Sequence, residues 1–133
     1  MPDLEYRVLS IENLSHSLSF PDGYTGEDLK GKLLGKNQYK ASYSTDSNTV
    51  AIDVYSELQL KGDTDSPYTK LFHIEVRTIY HIPNLQQFFT DNGDEIRPEI
   101  MDQLLVLAIA HARGVQSTII SGTPISRTLI QDR

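Results

Sequence analysis

The amino-acid sequence predicts an α+β protein, in which a four-stranded antiparallel sheet packs against one long C-terminal helix. Apolar and polar residues alternate over the first two-thirds of the chain, which is the pattern of half-buried strands. A single segment with helical spacing of apolar residues follows near the C-terminus. No repeat or shift in composition divides the 133 residues, so we expect a single domain spanning residues 1–133.

The strongest strand signal is a pair of segments that we expect to form a hairpin. Apolar side chains occupy nearly every second position of residues 50–60, starting at Val50, and again of residues 71–82, starting at Phe72. The polar segment 61–67 between them contains Gly and Pro, which favour a turn. These two segments are the predicted third and fourth strands.

The two preceding strands have weaker signals. A first strand is predicted over residues 5–20, with a bulge or bend near Glu12-Asn13, where the alternation breaks. Residues 21–37 are rich in Gly and indicate a long crossover loop. The alternation in residues 39–43 then predicts the second strand, and the polar residues after it predict a tight turn into the third.

The helix is predicted over residues 98–113. Pro98 suits its first turn, and Gly114 is expected to terminate it. Its apolar residues spread beyond one stripe, so a chain of this size needs a partner subunit to cover them. The residues expected at an oligomer interface, two of them on the first strand, are Leu105, Val106, Ile109, Tyr6 and Val8.

The composition argues against several classes of function. The chain contains no cysteine, which fits a reducing compartment and removes thiolate chemistry. Its formal net charge of -6 disfavours contact with a phosphate backbone. The N-terminus lacks the basic start and apolar core of a signal peptide, and the longest apolar stretch is too short to cross a bilayer. We expect a cytoplasmic protein that binds neither nucleic acid nor a membrane directly.

No motif in the sequence predicts catalysis or metal binding. The histidines lack the spacing of a chelating pair, and no Gly-x-Ser-x-Gly turn or phosphate-binding loop is present. The acidic residues before the helix lack the order of a calcium loop, and carboxylates are favoured at a helix N-terminus in any case. We therefore expect no enzymatic activity, no metal and no cofactor.

Aromatic side chains are the remaining candidates for function. The connector between the fourth strand and the helix is short and interrupted by polar residues, so we expect part of it to line an apolar groove instead of entering the core. The predicted groove residues are Leu85, Phe88 and Phe89, with Tyr39, Tyr43 and Tyr80 as further candidates.

The order of these segments, with several short motifs, resembles the bacterial export chaperone SecB and its relatives. The resemblance covers residues 5–130. The motifs that carry it are Tyr6-x-Val8-x-x-Ile11, Phe72-x-x-Glu75-Val76 followed by Ile79-Tyr80, Ala112-Arg113-Gly114 and Thr123-Pro124-Ile125-Ser126. This resemblance implies a homotetramer, built as a dimer of dimers, with helices packed between two sheets. It also implies an ATP-independent chaperone that binds unfolded polypeptides in apolar grooves, with protein export as the role of the best-known members.

Departures from the family pattern keep two other interpretations open. In the export chaperones, the surface that meets the translocase motor SecA carries acidic residues at two places where this chain has Ser15 and Ser19. The same surface carries a Leu-x-Glu pattern, of which this chain keeps only the glutamate, Glu75. The alternative is a SecB-fold module dedicated to one partner, such as a chaperone that protects an antitoxin in a toxin–antitoxin system. An enzyme or small-ligand binder is the third interpretation.

Overall fold

The structure is a computed structural model, and it describes residues 4–19, 33–61 and 68–121. Four strands, one short 3-10 helix and one α-helix make up this part of the chain. Their bounds are β1 Arg7–Leu18, β2 Leu33–Ser44, β3 Thr49–Lys61, β4 Tyr68–His81, the 3-10 helix Leu85–Phe88 and the helix α1 Pro98–Ile120. The strands form one antiparallel sheet in the order β1-β4-β3-β2. The predicted α+β class, with a four-stranded antiparallel sheet and one C-terminal helix, is confirmed.

The helix α1 lies mainly over β3 and β4, the two central strands of the sheet. Their side chains on this helix-side face are buried, as the alternation in the sequence predicts. Small residues at Ala108 and Ala112 of the helix are buried against the sheet and allow a close approach. The core side chains contributed by β3 and β4 include Val50, Ile52, Val54, Leu58, Phe72, Ile74, Val76 and Tyr80.

Leu71 departs from the predicted alternation. A strict period of two places it on the face opposite the helix, yet it is buried. The cause is a register shift in β4, since Phe72 pairs with Leu58 whereas Lys70 pairs with Gln59. A bulge of this kind redirects one side chain, and here it turns a leucine toward the core.

The edge strands also differ from the sequence prediction. β1 contains two irregularities, between Val8 and Ser10 and between Asn13 and Ser15. The second agrees with the bulge or bend predicted near Glu12-Asn13, and the first was not predicted. β2 begins at Leu33, which makes the prediction of a loop through residue 37 wrong. Residues 33–37 continue the ladder with β3, and these backbone hydrogen bonds override the local preference of Gly and Lys for a loop.

The helix begins at Pro98, as predicted, but ends at Ile120 rather than before Gly114. Val115 and Ile119 lie beyond the glycine and pack against the core. A glycine inside a helix costs only about 1 kcal/mol relative to alanine, which apolar packing of the following turns can offset. The predicted end at residue 113 is therefore wrong because tertiary packing outweighs a local signal.

Candidate functional site

The structure places most of the predicted groove residues in the core. Leu85, Phe88 and Phe89 are buried in the hydrophobic core, and so is Tyr80, whose hydroxyl donates a hydrogen bond of 2.9 Å to the carbonyl of Leu104. The reasoning that the connector is too polar to be buried is wrong. Its 3-10 turn directs Leu85 and Phe88 inward and leaves the two glutamines between them exposed. These four side chains form no open surface of the protomer.

Tyr39 and Tyr43 lie on the helix-side face of the edge strand β2, in register with Val54 and Val50. The Tyr43 side chain is restrained by two contacts: its hydroxyl donates a hydrogen bond to the carbonyl of Asp94 at 2.6 Å, and its ring packs edge-to-face on Phe89. Tyr39 is 63% exposed. The open aromatic surface on this side of the helix is therefore centred on Tyr39.

A second apolar surface follows β1 at the opposite edge of the sheet. Tyr6 packs edge-to-face on Tyr80, with ring centroids 5.8 Å apart, but remains partly exposed, as does Val8. The exposed large apolar side chains of this segment are Tyr6, Val8, Leu9, Ile11, Leu14 and Leu18. Six exposed apolar side chains along one edge of a sheet make this edge a candidate for contact with another chain.

The helix contributes the third apolar surface. Val106 is 66% exposed, while Leu105 and Ile109 are half-buried and contact the core with part of their surface. The sequence grouped these three residues, but the structure separates their roles. Leu105 and Ile109 support the protomer itself, whereas Val106 faces away from it.

The face of the sheet opposite the helix, here called the outer face, carries charges in cross-strand register. Glu12, Arg77, Asp53 and Lys40 occupy directly paired positions on β1, β4, β3 and β2, so their signs alternate across the whole sheet. The central pair is bidentate, with Arg77 Nε and Nη2 donating to the two Asp53 carboxylate oxygens at 2.8 and 3.0 Å. Asp53 is only 7% exposed, and its hydrogen bonds raise the pKa of Arg77.

A polar cluster lies beside this charged row. The imidazole of His73 stacks on Tyr55, and its Nδ1 and Nε2 atoms lie 2.6 and 3.3 Å from the hydroxyls of Ser17 and Ser15. Tyr55 donates to Glu57 at 2.7 Å. This hydrogen bond raises the pKa of Tyr55 to about 12 and is the main cause that lowers the pKa of Glu57. The cluster is thus a set of mutually satisfied polar groups.

Ser17 and His73 are close enough for a nucleophile–base pair, since Ser17 Oγ lies 2.6 Å from His73 Nδ1. Both nitrogens of His73 face serine hydroxyls. Among the described residues, therefore, no carboxylate orients the ring in the way that the third residue of a catalytic triad orients its histidine. The pair lies on the face of the sheet that the helix leaves uncovered. Within residues 4–19, 33–61 and 68–121, no group of three or more His, Asp or Glu side chains could hold a metal ion.

Glu75 lies on the outer face, in register with Ser15 on one side and Tyr55 on the other. It is half-buried between these neighbours. The position that the resemblance assigns to the translocase therefore carries one carboxylate flanked by a hydroxyl and a phenol. Its role stays a prediction.

Sequence reasoning did not find the charged row or the His73 cluster. The signal was present as polar residues at every second position of residues 53–57 and 73–77. Pairing these positions with each other requires the strand register, which only the structure supplies.

Comparisons with known proteins add no identification. No protein-family model matches the chain, and no curated protein is significantly similar to it. The described part of the chain includes no helix with the length and apolar character needed to cross a membrane.

Proposed function

We propose that the protein is an ATP-independent chaperone that holds unfolded or non-native polypeptides on the helix-side face of its sheet. One observation carries the proposal: the helix covers β3 and β4 but leaves apolar side chains of both edge strands exposed. Exposed apolar surface of this extent is typical of proteins that bind other chains. Unfolded polypeptides present the apolar side chains that such a surface can bury.

The two edges suit different partners. β1 and the side of the helix that faces away from the sheet each expose apolar side chains, among them Tyr6, Val8 and Val106, that could contact another copy of the chain. An assembly of this kind, a homotetramer built as a dimer of dimers, is what the resemblance to SecB implies. Tyr39 and Tyr43 on β2 would then remain for clients.

Aggregation suppression tests the proposal. A chemically unfolded protein is diluted into buffer with or without the chaperone, without nucleotide, and light scattering is followed over time. We expect wild type to suppress scattering for several unrelated clients, and Tyr39→Ser to weaken client binding. Burying the exposed part of this side chain is worth about 1–2 kcal/mol, which corresponds to about five- to thirtyfold in affinity.

Leu34→Ser is the matched control for Tyr39→Ser. Leu34 lies on the same strand and is also exposed, at 44%, but it is on the outer face, in register with Gln59. We expect this variant to suppress aggregation as wild type does. If wild type suppresses the aggregation of no client, the general-chaperone proposal is wrong.

A module dedicated to one partner is the second candidate. The observation that favours it is that a serine, Ser15, and not a carboxylate is paired with Glu75 on β1. An export chaperone needs a surface for the translocase motor SecA, and we expect SecA binding to be weak or absent. Pull-down of a single antitoxin-like partner, with no suppression of general aggregation, would support the dedicated module over the general chaperone.

A further inference from the structure

The edge strand β2 has two features that the proposed function does not use. Its twelve residues, Leu33–Ser44, pair with β3 in continuous register, without a bulge. No described strand pairs with its other edge, so alternate N–H and C=O groups along it have no ladder partner among residues 4–19, 33–61 and 68–121. A long edge without irregularities is the kind of strand to which a further strand can add.

The side chains of β2 divide into two rows of different chemistry. Lys36 and Lys40 are on the outer face, while Tyr39 and Ala41 are on the helix-side face. Neither lysine forms an ion pair with a carboxylate of the described residues. The Asp53 carboxylate opposite Lys40 is occupied by both donors of Arg77. No described ion pair therefore fixes either lysine, although Lys36 lies close enough to Glu57 to help lower the pKa of that carboxyl.

The alternation of charge along the charged row indicates which charge a strand added beside β2 would carry. From β1 to β2 it runs Glu12, Arg77, Asp53 and Lys40, so an added strand would continue the alternation with a carboxylate opposite Lys40. The same argument places a second carboxylate opposite Lys36, because Lys36 is paired with Glu57 on β3 as Lys40 is with Asp53. On the helix-side face, the positions opposite Tyr39 and Ala41 would hold apolar side chains.

We propose that β2 is a docking strand for an extended polypeptide with acidic residues four positions apart and apolar residues next to them. The partner adds as a fifth, antiparallel strand, with its carboxylates facing Lys36 and Lys40 and its apolar side chains covering Tyr39. This inference rests on the proposed function, since it names the class of client segment that the helix-side face accepts and the way the backbone is held.

A second copy of the chain fits this edge less well. In the symmetric antiparallel pairing centred on Gln38, Lys36 of one copy faces Lys40 of the other, and like charges directly opposite are destabilising. Edge lysines also commonly protect a sheet against pairing with other chains. The protective role and the docking role make opposite predictions for acidic peptides.

The probe is a short fluorescent peptide with Glu at two positions four residues apart and Val or Tyr beside each Glu. Fluorescence anisotropy measures its affinity for the full chain at low salt. We expect Lys40→Glu to weaken binding about three- to tenfold, and Lys40→Gln, which adds no carboxylate opposite Asp53, to weaken it less. Arg113→Glu makes the same change of charge at an exposed helix position and should leave affinity within about twofold.

Two further peptides test the geometry. A peptide with Lys in place of Glu should bind wild type poorly and Lys40→Glu more tightly than it binds wild type. Backbone N-methylation of the alternate residues that face β2 should abolish binding, whereas methylation of the other alternate residues should preserve it. The proposal is overturned if acidic and basic peptides bind wild type equally, or if both methylation patterns have the same effect.

The outcome is separable from that of the proposed function. Suppression of aggregation by wild type, together with no binding of the acidic peptide, would remove the docking strand and leave the chaperone. Peptide binding without suppression of aggregation would support the docking strand and overturn the general-chaperone function. A change in oligomer mass on Lys40→Glu, with no peptide binding, would overturn the docking strand in favour of contact between copies.

Discussion

Replacing Gly114 by Ala distinguishes a continuous helix from one that stops at this glycine. The helix α1 runs through Gly114 to Ile120, and the hydroxyl of Thr118 donates to the Gly114 carbonyl at 3.1 Å within it. Apart from the backbone of the helix itself, a Cβ built on Gly114 meets no heavy atom of the described residues within 4 Å. Alanine therefore fits without a clash and removes the entropic cost of glycine in a helix interior.

The expected gain is about 0.8–1 kcal/mol in the free energy of unfolding, which is the difference in helix propensity between the two residues. For a domain of this size, that gain raises the melting temperature by about 3–4 °C. Urea unfolding followed by circular dichroism measures the change. Wild type and variant are compared at one protein concentration, because the stability of an oligomer depends on it.

Whether Gly114→Ala raises or lowers the free energy of unfolding distinguishes a helix that continues through Gly114 from one that ends there. A glycine that terminates a helix adopts a left-handed conformation, in which alanine costs about 1–2 kcal/mol instead of adding stability. Gly93 provides the control, since its φ of 74° is left-handed and its surroundings are open. Gly93→Ala should destabilise for backbone reasons alone. Destabilisation by Gly114→Ala would refute the continuous helix.

Three more predictions follow from the core, the titrating groups and the helix surface. Phe88→Ala should lower the free energy of unfolding by about 3–5 kcal/mol, because Phe88 is buried, and equal urea midpoints for variant and wild type would contradict its place in the core. Burial raises the pKa of Tyr80 to about 12, so its contribution to stability is complete below the unfolded pKa of 10.0 and is lost as pH rises toward 12. Tyr80→Phe should cost about 1 kcal/mol near neutral pH and make the alkaline loss of stability shallower, whereas an unchanged alkaline slope would argue against a buried hydroxyl. Val106→Asp should reduce the mass of the proposed oligomer, measured by light scattering, without lowering helix content, because this side chain is 66% exposed in a single chain, and an unchanged mass would remove it from the proposed interface.

Among the predicted groove residues, the one on β2 is exposed as expected, whereas those in the connector are buried. The exposure of Tyr39 agrees with the sequence expectation because an edge strand has one neighbour and the helix lies over the centre of the sheet. The burial of Leu85, Phe88 and Phe89 does not, because the connector folds into the hydrophobic core. Local polarity cannot reveal that step, since it depends on the path of the chain in three dimensions.

The amino-acid sequence by itself determined the class of fold, the faces of β3 and β4 and the start of the helix. These features follow from the period of apolar residues and from the fixed φ of Pro98, which act over a few neighbouring positions. Only the tertiary structure decided which apolar side chains remain uncovered, where the helix ends and which charges face each other. Each of these depends on contacts between distant segments, such as the pairing of Asp53 with Arg77 and the packing of Val115 beyond a glycine. Such contacts outweigh local propensities because burial and cross-strand bonds contribute more free energy than one residue's conformational preference.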